Sequence, residues 1–173
     1  RLEVRAGGRV TLDLGLEGLA LPSLLLDPAG RIDIGAGRLI VATGLVEPAV
    51  RQSLLDGHNG GGWDGSRGFV SRAVTQSRTV GFVIDQGQVT IAYAAPGDTN
   101  LDGVVDVIDV ANLVVNYDAS STAAASWSSG DSNYDGIVDQ LDLSDFLAAG
   151  LFDQGAYLSA SDAAFASLGS EPK

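Results

Sequence analysis

Among its 173 residues the chain has no cysteine, no methionine, one histidine (His58) and one lysine (Lys173). Without cysteine there is neither a disulfide nor a thiolate metal site, and a single histidine cannot supply the nitrogen and sulfur ligands that zinc prefers. Any metal held here rests on oxygen. Long apolar runs are missing too: the richest, LALPSLLL at 19–26, is broken by Pro22 and falls far short of the roughly 20 residues of a membrane-spanning helix. Aromatic side chains are few, at 6%, whereas 23 glycines favour β-rich architecture with tight turns. The 45% hydrophobic content is enough for a packed core.

Basic charge is absent from one half of the chain. Residues 1–96 balance nine acidic side chains with nine arginines, whereas residues 97–173 carry thirteen acidic side chains and only Lys173. The net charge of −12 therefore belongs to the second half. Such a surface repels phosphate backbones and anionic lipid and attracts cations, so no nucleic-acid partner is expected for the second half.

The first half reads as short strands at 2–5, 9–14, 23–26, 31–34 and 39–42, separated by AGG, DPAG and GAG turns. Alternation in RVTLDL and RIDIGAGRLIVA places apolar residues on one face of a sheet. The pattern fits an all-β domain over 1–95, either a sandwich or a short stack of β-turns resembling a solenoid. VEPAVRQSLLDG reads as a short helix with Pro48 in its first turn and Gly57 after its end, and GFVIDQGQVTIAYA as a hairpin turning at Gln86–Gly87. Trp63, in the glycine-rich HNGGGWDG loop, is expected to fold back over the β core.

After Pro96 the pattern becomes two copies of one unit, 33 residues apart: GDTNLDGVVDVIDVANLV at 97–114 and GDSNYDGIVDQLDLSDFL at 130–147. Each contains a twelve-residue acidic loop of the EF-hand type, which needs oxygen ligands at positions 1, 3, 5, 7, 9 and 12 and glycine at position 6. In the first loop, 98–109, these are Asp98, Asn100, Asp102, the Val104 carbonyl, Asp106 and Asp109, with Gly103 at the turn. In the second, 131–142, they are Asp131, Asn133, Asp135, the Ile137 carbonyl, Asp139 and Asp142, with Gly136 at the turn. Hard oxygens in this order predict two Ca²⁺ ions. Four crowded carboxylates per loop further predict that calcium binding helps the loops fold.

Two features separate the repeat from a complete EF-hand. Position 12 is aspartate instead of glutamate, and neither AYAAP nor AASWSSG reads as an entering helix. With those departures, DTNLDGVVDVIDVANLV and DSNYDGIVDQLDLSDFL resemble the type I dockerin family over residues 97–150. The resemblance implies a small helical domain at 96–150 that binds two calcium ions and docks through an exit helix onto a β-sandwich partner called cohesin. It also implies that loop positions 10 and 11, here Val107, Ile108, Gln140 and Leu141, help read that partner. The family usually places small polar residues there, so Val107 and Ile108 imply a more apolar partner surface; the alternative is that both pack in the core with Val110, Leu113 and Val114. The stretch running from HNGGGWDG through VGFVID into GDTN is similar to the region before dockerin repeats in large secreted bacterial β-solenoid proteins, which implies an extracellular or cell-surface setting.

No enzyme is expected. His58 near Asp56 and Asp64 has no triad spacing, and Glu47, Asp56 and Asp64 lie in turn-rich segments where carboxylates are usually solvated or capping groups. Trp127, in the connector, is expected to pin that connector to the calcium-binding module. A tail at 151–173 contains one expected short helix, SASDAAFASLG. Pairing a β domain with a docking module predicts head-to-tail self-assembly into an extracellular fibre or sheath. The rival is an attachment region of a larger secreted polysaccharide-degrading enzyme or surface protein. A calcium sensor fits less well, since sensors open a groove between two complete EF-hands.

Overall fold

The computed structural model describes residues 1–12, 18–118 and 125–157. They form two compact units, Arg1–Val74 with Ile84–Tyr93 and Thr75–Val83 with Ala94–Tyr157. The SASDAAFASLG segment at 159–169 lies outside the described residues, as does the end of the second expected strand.

The first unit is built from strands of three or four residues that revisit the same three sheets in the same order. β1 (Leu2–Val4), β2 (Arg9–Thr11) and β3 (Leu19–Leu21) are each followed, one turn of chain later, by a parallel partner: β4 (Leu24–Leu26), β5 (Arg31–Asp33) and β6 (Arg38–Val41). Leu2 stands opposite Leu24 and Arg9 opposite Arg31, both 22 residues on. The chain thus winds as a coil, and the sandwich alternative does not apply, because a sandwich pairs its strands through antiparallel hairpins. The alternation seen in RIDIGAGRLIVA sets the inside of this coil: Ile32, Ile34, Leu39 and Val41 are all buried.

Two strands escape the sequence pattern. β3 is only LAL, too short to display a period, and β7 (Gly68–Val70) becomes a strand through its parallel pairing with β5, Ile32 opposite Phe69. The 37-residue interval from Arg31 to Gly68 makes room for α1 (Glu47–His58) and the loop behind it.

α1 starts at Val46 without a side-chain cap but with proline in its first turn, and buries Val50, Leu54 and Gly57 along one stripe. Removing the two aliphatic side chains from water contributes about 1.5–3 kcal/mol each. Gly57 does not follow the helix end, as its sequence context predicts; it lies within α1, where a Cβ would overlap the Phe69 backbone. The helix instead closes on Asn59, which takes the left-handed conformation at φ 46°. Glycine at 57 is therefore a packing requirement and not a stop signal. Trp63 is buried in this unit.

The hairpin of β8 (Thr79–Asp85) and β9 (Gln88–Ala94) turns at Gln86 and Gly87, whose φ values of 46° and 81° suit a type I′ turn. β9 runs antiparallel to β6, in a sheet ordered β3-β6-β9-β8. The second unit contains α2 (Val107–Asn116) and α3 (Gln140–Ala149), each following one acidic loop, and a short 3₁₀ turn at Trp127–Ser129. No described helix enters either loop: β9 precedes the first and the 3₁₀ turn the second.

Candidate metal centre

Both acidic loops fold on themselves in the same way, because the same side chains stand at the same positions. The position 3 amide accepts from the position 5 N–H, at 2.8 Å in both Asn100···Asp102 and Asn133···Asp135. The position 5 carboxylate accepts from the position 7 N–H, Val104 at 2.9 Å and Ile137 at 3.0 Å. The position 1 carboxylate reaches across the loop to the position 6 glycine, Gly103 at 3.0 Å and Gly136 at 3.1 Å. These glycines sit at φ 91° and 92°, where any other residue is strained.

Each loop then runs into its helix through a capping box. Asp106 and Asp139 accept from the Ile108 and Leu141 N–H groups at 2.7 Å, and their own N–H groups donate back to Asp109 and Asp142. The position 12 carboxylates also reach back to the loop start: Asp109 Oδ1 accepts from both the N–H and the hydroxyl of Thr99, and Asp142 Oδ1 from the Ser132 N–H at 2.8 Å. The short aspartate at position 12 thus ties helix to loop. Thr99 and Ser132, at position 2, are contributors that the ligand spacing alone did not single out.

The two copies are also laced together reciprocally. After α2, Asp118 and Ala125 donate to the Val138 and Gly136 carbonyls of the second loop, at 3.0 and 2.8 Å. After α3, Asp153 and Tyr157 donate to the Val105 and Gly103 carbonyls of the first, at 2.9 and 3.0 Å. Trp127 is buried and its indole N–H donates to the Asp98 carbonyl. A further ring, Tyr134, is buried and donates its hydroxyl to the Val80 carbonyl at 2.8 Å.

Asp98, Asp109, Asp131 and Asp142 are buried, whereas Asn100, Asp102 and Asp135 are exposed. Burial pushes the Asp98 carboxyl up to about 6; the Tyr157 and Gly103 hydrogen bonds oppose this, and the charges of Asp109 and Asp102 add to it. Burial likewise raises Asp142, against three backbone N–H groups, and raises Asp145, with help from the Asp142 charge. Among the described residues no three acidic or histidine side chains meet at one point. The carboxylates accept hydrogen bonds from the N–H donors of their own loop. The donor set nonetheless fits calcium: per loop it offers four carboxylates, one amide oxygen and the carbonyl of Val104 or Ile137, with no nitrogen or sulfur ligand. Those residues would hold the ion, whose charge would neutralise the cluster and replace part of the hydrogen bonding among its members.

The residues at loop positions 10 and 11 open the helices and face solvent. Val107 and Ile108 are 69% and 56% exposed, so the core-packing alternative is excluded. On α2 they continue through Ala111 and Val114 to Val115, an exposed stripe without a polar residue. The matching stripe on α3 is Gln140, Leu141, Ser144, Leu147 and Ala148, which is partly polar.

Of the residues weighed for catalysis, Asp56, Asp64 and His58 have other partners. Asp56 pairs with Arg67 at 2.9 Å and Asp64 accepts from the Asn59 amide at 2.9 Å, while the His58 ring packs edge-on against Trp63. Burial lowers the pKa of His58. No family model, no curated protein and no solved structure matches the chain.

Proposed function

We propose that this is a non-enzymatic calcium-binding structural protein of the extracellular or cell-surface space, in which a dockerin-like pair of loop–helix units mediates association between copies of the chain. The observation that carries the reading is the duplication: two loops 33 residues apart repeat the same oxygen donors and the same internal hydrogen bonds. Asp98, Asn100, Asp102, Val104, Asp106 and Asp109 hold one ion, and Asp131, Asn133, Asp135, Ile137, Asp139 and Asp142 the other. Calcium here is structural, holding each helix against its loop so that the α2 stripe is presented in a fixed shape.

The uninterrupted apolar stripe on α2 supports docking onto another apolar surface, and head-to-tail contact between copies builds a fibre or sheath. Calorimetric titration is expected to give two calcium sites, with Asp98→Ala plus Asp131→Ala abolishing both. Absence of heat at millimolar calcium would refute the metal assignment. Sedimentation and electron microscopy with and without chelator test the assembly. A chain that stays monomeric at high concentration in calcium turns the reading to attachment onto a different protein, such as a cohesin-like β domain.

A further inference from the structure

Two arginines stand side by side on the outside of the coil. Arg9 on β2 and Arg31 on β5 are directly opposite each other in parallel pairing, one strand spacing of about 4.8 Å apart. The residues after Arg31 and Gly68, Ile32 and Phe69, are buried inside, and side chains alternate along a strand, so both guanidinium groups belong to the outer face. Arg9 is exposed and Arg31 half-buried. The third residue of this row, Gly68 on β7, has no side chain, and a Cβ there would overlap the Ser53 carbonyl of α1. The row therefore ends against the helix, which walls one side of the pair.

Like charges set opposite each other on neighbouring strands repel. Asp33, two residues along the same face from Arg31, does not relieve them: it accepts from the Gly35 N–H at 3.0 Å and lies 3.7 Å from the Arg72 guanidinium. Among the described residues neither Arg9 nor Arg31 makes an ion pair, and the Arg31 Nε is buried without a hydrogen-bond partner. A buried charged donor that lacks an acceptor is destabilising. One oxyanion between the two guanidinium forks would satisfy that donor and cancel the repulsion.

We propose that Arg9 and Arg31 form a carboxylate-binding site whose occupant is the acidic unit of another copy of the chain. The inference rests on the association reading above and names the basic half of that contact. Charge complementarity selects the occupant: Thr75–Val83 with Ala94–Tyr157 carries eleven aspartates against Arg78 alone. Asp118, Asp145 and Asp153 are not among the calcium donors, so this unit stays acidic when its loops are filled, and Asp118 and Asp153 are exposed. Guanidinium forks match planar carboxylates through paired hydrogen bonds.

The test uses the full chain in two measurements. In low salt, poly-L-glutamate is expected to shift the Nε–H nuclear magnetic resonance signals of Arg9 and Arg31, while those of Arg1 and Arg5, which pair with Glu3, stay in place. In calcium, Arg9→Gln with Arg31→Gln is expected to weaken association in sedimentation about 10-fold, the loss of one charge-assisted hydrogen bond. Arg1→Gln with Arg5→Gln removes the same charge and is expected to change association by less than about twofold. An equal response of all four arginines to poly-L-glutamate, or no response, overturns the site. Equal weakening by the two double variants reduces the effect to net charge and overturns it as well. Binding of dextran sulfate in preference to poly-L-glutamate, with assembly unchanged in Arg9→Gln with Arg31→Gln, assigns the pair to a sulfated polysaccharide and overturns the occupant. An unmodified chain that stays monomeric brings down the association reading and this occupant with it, whereas an unmodified chain and an Arg9→Gln, Arg31→Gln variant that assemble alike bring down this inference alone.

Discussion

The indole nitrogen of Trp127 donates to the backbone carbonyl of Asp98 at 2.6 Å, so the chain entering the second loop is tied to the first residue of the first. The ring also lies against Gly81, where a Cβ would overlap it, and beside Tyr134. Trp127→Phe is expected to destabilise the second unit by about 1–3 kcal/mol through the carbonyl left without its donor, and Trp127→Ala by about 3–5 kcal/mol through the added cavity. Denaturant unfolding followed by circular dichroism measures both.

Calcium is expected to stabilise the second unit by mass action, by about 2.7 kcal/mol per site at a hundredfold excess over the dissociation constant. Asp98→Ala and Asp131→Ala should each remove one such increment. Asp109→Ala and Asp142→Ala should in addition cost about 1 kcal/mol in the presence of chelator, because these side chains also close the capping boxes. Thermal melts with calcium and with chelator separate the two effects.

The pH dependence follows from Asp98, whose carboxyl burial pushes up to about 6 from an ordinary 3.8. The folded state holds that proton more tightly than the unfolded chain, so the stabilisation is fully present below about pH 4 and is lost as pH rises through 6. Burial of Asp142 acts in the same direction. In chelator the second unit should therefore melt at a lower temperature at pH 7 than at pH 4.5, and Asp98→Asn should flatten that slope. Calcium, which competes with the proton, should bind more weakly as pH falls below 6.

Substitutions on the α2 stripe should separate folding from association. Val115 is 82% exposed, so Val115→Glu is expected to change stability by no more than about 0.5 kcal/mol. It should nevertheless abolish calcium-dependent assembly in sedimentation, as should Ile108→Asp. Gln140→Ala on the mixed α3 stripe should have little effect.

In the first unit, Gly57→Ala is expected to cost about 3 kcal/mol, because α1 must lift from the Phe69 backbone. Denaturant unfolding monitored through the buried Trp63 would register this as a lower midpoint.

The acidic loops were legible from residues alone because a tight turn leading into a capped helix is a local object. Glycine is needed where φ is positive, and aspartates at fixed offsets cap the following helix, so Asp106, Asp109, Asp139 and Asp142 begin α2 and α3 where the spacing predicts. The 86–87 hairpin turn was readable for the same reason. Alternation in RIDIGAGRLIVA showed which side chains are buried but not what they are buried against.

What lay beyond the sequence depends on residues far apart in the chain meeting. Parallel pairing of Leu2 with Leu24 and Ile32 with Phe69 makes the strands a coil, and strands as short as LAL and GFV carry no period of their own. Gly57 resembles a helix stop until Phe69 is placed against it. Tyr157, 59 residues from Asp98, belongs to the first loop only because the second copy's trailing segment returns to it. Sequence by itself determined the two acidic loops, the helices that leave them and the charge that surrounds them, since all three follow from local spacing. Only the tertiary structure decided which strands pair, that Val107 and Ile108 face solvent, and that the Tyr157 phenol meets the leading carboxylate of the first loop, because each depends on segments that no local pattern links.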